Sequence, residues 1–213
     1  MAQDLKPLPP SYQQALELID LAHSQDPNLV APSKDPQGGP IELRYARQMT
    51  RWLGIRCPLA SPELQLACRA QHFKRWELPR SSFPMTRVGY LTWRAKQKTQ
   101  AATNVADLLA APSISPPIAA QSRNRIAALI RKERLDTDEE TQVLEDVACL
   151  VFLDDQFDDF EAQSDMDEAK MVSILRKTWG KMTESGRGLA LSLQLSEKAQ
   201  ALIDRALEPA TAS

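Results

Sequence analysis

Apolar positions recur at spacings of three and four along most of this chain, which is the period of an amphipathic helix. Ala15, Leu18, Ile19 and Ala22 form the first stripe, behind Ser11 and Gln14 in an S-x-x-Q capping box, and predict a helix over about Ser11 to His23. Asp26-Pro-Asn28 then opens a stretch holding Pro32, Pro36, Gly38 and Gly39, which reads as a loop. Tyr45, Met49, Trp52 and Leu53 predict a second helix from Pro40 with a stop at Gly54. Ser61-Pro62-Glu63 has the composition of a third start, for a helix carrying Leu64, Ala67, Cys68 and His72 towards Trp76.

Pro79 and Pro84 enclose an irregular segment. Thr86 then caps a fourth helix through Val88, Leu91, Ala95, Val105 and Leu108, long enough to kink or break. After Pro112 to Pro117, a fifth helix runs over Ile118 to Arg131. Thr137 and Glu140 read as a capping box for a sixth, apolar on most sides and therefore expected at the centre. Ser164 and Asp167 read as a box for a seventh, ending before Gly186 and Gly188, and Ser196 caps a last helix through Leu202, Ile203 and Leu207. No alternating run of strand length and no fixed repeat is present, so the expected fold is all-α, a compact bundle of about seven to eight helices.

Composition is that of an ordinary globular chain: 213 residues, 43% hydrophobic and 25% charged. One helical domain over 1–213 is expected, with about ten N-terminal and five C-terminal residues flexible. A formal charge of -2 gives no global attraction to nucleic acid or anionic membrane. Three cysteines, Cys57, Cys68 and Cys149, lie in apolar helical patterns without a C-x-x-C pair and read as buried thiols. The polar, proline-rich beginning lacks the pattern of a secretion signal, and the longest apolar run, Ala148 to Leu153, is too short to span a bilayer; the expected location is cytoplasmic.

Candidate chemistry gathers in three places. His72 falls on the apolar side of its helix, as a hydrogen-bonded core histidine or as a metal ligand or acid-base group; His23, in a last helical turn, suits a structural role as a cation at the dipole. From Arg69 to Lys98 basic and aromatic residues alternate. Arg69, Arg75, Trp76, Arg87, Tyr90 and Arg94 are candidates for an anion-binding wall, unless the basic run pairs internally with the acidic stretch from Glu133 to Glu168. Glu145 and Asp146 stand inside the most apolar helix, where a carboxylate needs a salt bridge or a metal; Arg47, Arg69 and Arg75 are candidate partners for Asp146. Asp154-Asp155-Gln-Phe-Asp158 has a D-D-x-x-D spacing but reads as a solvated acidic face.

The segments Asp26-Pro-Asn, Arg69-Ala-Gln-His-Phe-Lys-Arg-Trp, Arg87-Val-Gly-Tyr-Leu-Thr-Trp-Arg, Arg131-Lys-Glu-Arg-Leu and Leu144-Glu-Asp-Val-Ala-Cys-Leu-Val-Phe-Leu resemble a domain-of-unknown-function family. Its members are often named glutamyl-tRNA synthetases. Lys181-Met-Thr-Glu-Ser185 stands without the partner histidine motif or the alternating strand-helix nucleotide fold of those enzymes, so synthetase activity is not expected.

The helix order also resembles the HD superfamily of metal-dependent phosphohydrolases, which bind metal through a histidine, a His-Asp pair and a later aspartate. Glu42 stands at the place of the first histidine, His72 at that of the pair's histidine with Phe73 replacing the aspartate, and Asp146 at that of the last aspartate. Lys132 lies where some members carry a further histidine. The resemblance implies one divalent metal ion on Glu42, His72 and Asp146, with Glu145 and Lys132 beside it. It implies a phosphorylated small molecule as ligand, and possible hydrolysis of it. The rival expectation is a catalytically inactive HD-like module binding a nucleotide, RNA or protein through the Arg69 to Lys98 segment.

Overall fold

The computed structural model describes residues 5–31, 38–157 and 167–208. These are helical and irregular segments without a strand; the single isolated bridge joins Leu29 to Pro40. The all-α expectation holds, with more helices than the seven to eight expected: α1 Pro10–His23, α2 Ile41–Arg56, α3 Pro62–Arg69, α4 Arg87–Leu108, α5 Ala120–Arg131, α6 Glu139–Val151, α7 Glu168–Lys181, α8 Glu184–Ala190 and α9 Glu197–Leu207. Among the described residues no helix is long and apolar enough to cross a membrane.

Backbone contacts divide the chain into two compact units, Met1–Leu144 and Glu145–Ser213. In the first, α3 packs on α1, α2 and α5, and α4 packs on α5 and α1. The short α3 is buried on nearly all sides through Leu64, Leu66, Ala67 and Cys68; each fully buried leucine contributes about 1.5–3 kcal/mol relative to exposure. Ile19, Met49, Leu53, Ile126, Leu129 and Ile130 complete that core. In the second, α7 packs on α9, joined by Arg176 to the carbonyls of Arg205 and Ala206 and by an ion pair of Arg205 with Glu168. Helix α6 is buried along nearly its whole length, as its apolar pattern implied.

Several helix ends differ from the sequence reading, each for a local reason. Pro9 and Pro10 open α1 by fixing φ, with no capping box from Ser11. Ahead of it, Lys6 is already tied to the fold, its carbonyl accepting from Gln65 Nε2 at 3.0 Å. Helix α2 runs through Gly54 to Arg56, because a buried glycine on a packed helix is tolerated where a left-handed stop is not required. Helix α4 is continuous, and Thr86 caps it through Gly89 N–H at 3.1 Å. The cap of α6 is Asp138 rather than Thr137, receiving Thr141 N–H at 3.0 Å. Asp138 also pairs with Arg125 at 2.5 and 2.8 Å, and that guanidinium, before its backbone bonds, holds the Asp138 carboxyl well below the usual range. Asp167 is itself the cap of α7; Ser164 and Asp158 lie outside the described residues. Gly186 lies inside α8 rather than ending a helix. Cys68 and Cys149 are buried, while Cys57 is only partly covered.

Candidate functional site

Asp26 organises one wall of a cleft in the first unit. Its Oδ1 accepts from Asn28 N–H (2.9 Å) and Asn28 Nδ2 (2.8 Å), and its Oδ2 from Glu42 N–H (3.0 Å). Pro40, the N-cap of α2, has no capping side chain, so Asp26 reaches from the preceding loop to serve that helix start. Asp26-Pro-Asn thereby fixes where Glu42 enters the fold.

The opposite wall follows α3. That helix ends at Arg69, so His72 stands in the turn beyond it rather than on its face. Lys74 adopts a left-handed backbone (φ 52°), uncommon for a side chain with a Cβ, and turns the chain so that Arg75 folds back over His72. The His72 ring stacks on buried Tyr45, 3.9 Å between centroids and 8° from parallel. One Arg75 N–H group lies 3.2 Å from Nε2 and 3.3 Å from Nδ1. Burial first, then Arg75, Arg94, Lys132 and His23, push the His72 imidazole well below its ordinary value, so it is neutral.

Glu42 completes the constellation, its Oε2 3.3 Å from His72 Nδ1. The contact is outside hydrogen-bond alignment, and Oε2 is fully buried with no hydrogen bond. Burial pushes the Glu42 carboxyl up to about 7, with Arg75 lowering it and Asp26 raising it. A cleft of about 320 Å³ opens here, lined by Asp26, Asn28, Glu42, Arg75, Trp76 and Arg80 together with Trp93 and Gln97. The Trp93 indole donates to the Leu78 carbonyl (2.9 Å) and carries the guanidinium carbons of Arg75 and Arg80 at 5.4 and 5.9 Å from its ring centroid.

Of the residues expected at the site, the cleft brings together Glu42, Arg75 and Trp76, with His72 behind Glu42. Arg69 is not part of it. Its guanidinium forms a two-pronged pair with Asp20 (2.7 and 2.6 Å) and donates to Thr50 Oγ1 (3.0 Å) and the Ala46 carbonyl (3.4 Å), tying α3 to α1 and α2. Arg87 and Tyr90 are exposed away from the lining, and half-buried Arg94 acts on His72 through its charge. Lys132 ends α5 in a left-handed conformation (φ 58°), outside the lining.

Asp146 and Glu145 are described within the second unit. Asp146 is bound by Thr183: Thr183 N–H donates to Oδ1 (2.8 Å) and the Thr183 hydroxyl to Oδ2 (2.5 Å), and the same hydroxyl caps α8 at Gly186. Glu145 pairs with Lys181 at 3.5 Å. A Cβ on Gly186 would stand 2.4 Å from Asp146 Oδ1, so only glycine lets the carboxylate sit there. Gly186→Ala is expected to destabilise the protein by up to about 3 kcal/mol, the upper part of the overpacking range. Denaturant titration checks this, and a loss below about 0.5 kcal/mol, the size of an unremarkable surface change, would refute the close packing.

Among the described residues no group of three or more His, Cys, Asp and Glu side chains is gathered to hold a metal ion. The acidic stretch from Glu133 pairs with Arg125, Arg131, Lys181 and Arg205, and the basic run pairs through Arg69 with Asp20 and through Lys74 with Glu77. Asp26, Asn28, Trp93 and Gln97 were not read as site residues, while Arg80 belongs to the basic run read as an anion-binding wall. The signal for them was slight: Asp26-Pro-Asn looked like a loop, and Trp93 like a core anchor, which it also is.

Residues 13–203 match the family described as a domain of unknown function, DUF4202. No curated protein and no solved structure matches the chain.

Proposed function

We propose that this chain, which belongs to the DUF4202 family of domains of unknown function, binds a phosphorylated small molecule in the cleft of its first unit, with Arg75 contacting the phosphate. The observation that carries the reading is the state of that arginine. Arg75 lines the cleft, half-buried, with its guanidinium over Trp93 and against a neutral imidazole, and among the described residues no carboxylate forms an ion pair with it. A guanidinium desolvated on its faces and without a carboxylate in ion-pair contact is a site for an anion, and its planar fork matches phosphate oxygens. Arg80, on the same Trp93 ring, adds positive potential, although its N–H groups hold the carbonyls of Phe83 and Pro84.

Turnover belongs to the same reading. Glu42, held near neutrality by burial, suits proton acceptance from a water or hydroxyl in the cleft. The metal expected on Glu42, His72 and Asp146 has no part in it. Both oxygens of Asp146 are engaged by Thr183, and Arg75, Arg94 and Lys132 make the surroundings of His72 unfavourable to a cation.

Calorimetric titration with a panel of phosphorylated compounds and their dephosphorylated counterparts tests the reading, with free phosphate followed to detect turnover. Binding is expected for the phosphorylated members alone, weakening with salt. Arg75→Gln is expected to lower affinity by about 10–100-fold, the size of a lost hydrogen bond to a charged group. Absence of binding at millimolar concentration, or an unchanged affinity in Arg75→Gln, would overturn it.

A further inference from the structure

The cleft has a second chemical character. Beside Arg75 the cleft also presents hydrogen-bond acceptors. The Glu42 side chain is nine-tenths buried, and among the described residues neither of its oxygens receives a hydrogen bond: Oε2 is sealed against His72, and the carboxyl's remaining exposure is at the cleft it lines. Asn28 gives one amide N–H to Asp26 Oδ1, and Gln97 gives one to the Leu78 carbonyl (3.3 Å), which leaves each amide oxygen and its second N–H for a ligand in the cleft they line. A buried carboxyl without hydrogen bonds is costly, and native proteins satisfy such groups.

Neutral donors suit the Glu42 side of the cleft, because the Arg75 guanidinium, 3.3 Å from His72 Nδ1 as Glu42 Oε2 is, already supplies positive charge there. Hydroxyl groups fit, since each donates one hydrogen bond and carries no charge. The volume, about 320 Å³, lies at the lower end of the roughly 300–1,000 Å³ typical of small-molecule sites and suits a compact ligand rather than a dinucleotide.

Building on the assignment of phosphate to Arg75, we infer that the ligand is a phosphorylated polyol of sugar size, its phosphate on Arg75 and its hydroxyl groups on Glu42, Asn28 and Gln97. Glu42 is then the residue that separates such a ligand from phosphate alone. In Arg75→Gln both affinities fall together; in a Glu42 variant the preference for the polyol over phosphate is lost.

The test compares dissociation constants of inorganic phosphate, glycerol 3-phosphate, ribose 5-phosphate and glucose 6-phosphate for the full chain, wild type and Glu42→Leu. Wild type is expected to prefer at least one sugar phosphate over inorganic phosphate by about tenfold or more, the size of one hydrogen bond to a charged acceptor. Glu42→Leu is expected to erase that preference, the sugar phosphates then binding no more tightly than inorganic phosphate. Glu42→Gln, nearly isosteric, serves if the leucine variant does not melt cooperatively, and is expected to reduce the preference. A preference unchanged in both variants, or wild type binding inorganic phosphate as tightly as every sugar phosphate, overturns the inference and leaves the Arg75 reading standing. Failure of all four probes to bind overturns both.

Discussion

Arg69→Ala is expected to destabilise the protein by about 3–5 kcal/mol, the range for removing one partner of a buried ion pair. Asp20, about a quarter exposed, places the expectation near the lower end. The loss has two sources. The Asp20 carboxylate is left facing a void in the α1, α2 and α3 junction, and the Ala46 carbonyl and Thr50 hydroxyl lose their donor. Arg69→Lys recovers little, because one ammonium group cannot bridge both Asp20 oxygens and Thr50 in a fixed plane. Arg69→Met with Asp20→Leu recovers most of it, since the unpaired charge is then gone. Denaturant midpoints measure each step. A loss below about 1 kcal/mol, the size of a surface pair, would show the pair to be solvated. Phosphate affinity in the folded fraction is expected to stay at the wild-type value.

Two buried groups give opposing pH dependences. Each is on the order of 3 kcal/mol, since every pH unit separating a group's folded and unfolded values is worth about 1.4 kcal/mol. His23 is buried in the α1, α3 region, its Nε2 on the Arg69 carbonyl at 3.1 Å and its ring edge-on to Phe73, so it is neutral rather than the dipole-stabilised cation its position in the last turn of α1 suggests. Burial takes its value from 6.5 to about 4, with Arg69 lowering it and the Arg69 carbonyl, Asp20 and Asp26 opposing. Between these values the unfolded chain binds a proton that the folded chain refuses. Stability therefore falls as pH drops from about 6.5 to about 4. Glu42 runs the other way. Raised from 4.5 to about 7, it holds a proton in the folded state that the unfolded chain has released, so stability falls as pH rises across that window.

In wild type the two slopes largely cancel between about pH 4.5 and 6.5. Glu42→Gln is expected to be steeply destabilised on acidification through that window, and His23→Gln on alkalisation. Denaturant titrations at half-unit intervals read both slopes directly. A Glu42→Gln profile parallel to wild type would mean that Glu42 is ionised and solvated in the folded protein.

The all-helical class followed from local information alone. Three-and-four spacing of apolar residues, capping by Ser61, Thr86 and Ser196, and prolines between the stripes act within a few residues and do not depend on what lies across the fold. The same locality made His72, Arg75 and Trp76 legible as candidates, because a histidine in apolar company and a run of basic and aromatic residues are read from chain neighbours, whereas Glu42 was named only through the HD resemblance. Partners were not legible. Asp146 bound to Thr183, Arg69 bound to Asp20 and Asp26 capping a helix that begins after an intervening loop are pairings between distant positions, and several arginines offered equal chemistry for each acid. Which of them meet depends on helix packing and on single backbone conformations, such as the left-handed turn at Lys74 that carries Arg75 over His72 and Trp93. Sequence by itself determined the helices and the residue types able to do chemistry; tertiary structure decided which charges neutralise one another in the interior, and it left Arg75 and Glu42 lining a cleft with no ion-paired carboxylate on the one and no hydrogen-bond donor to the other among the described residues.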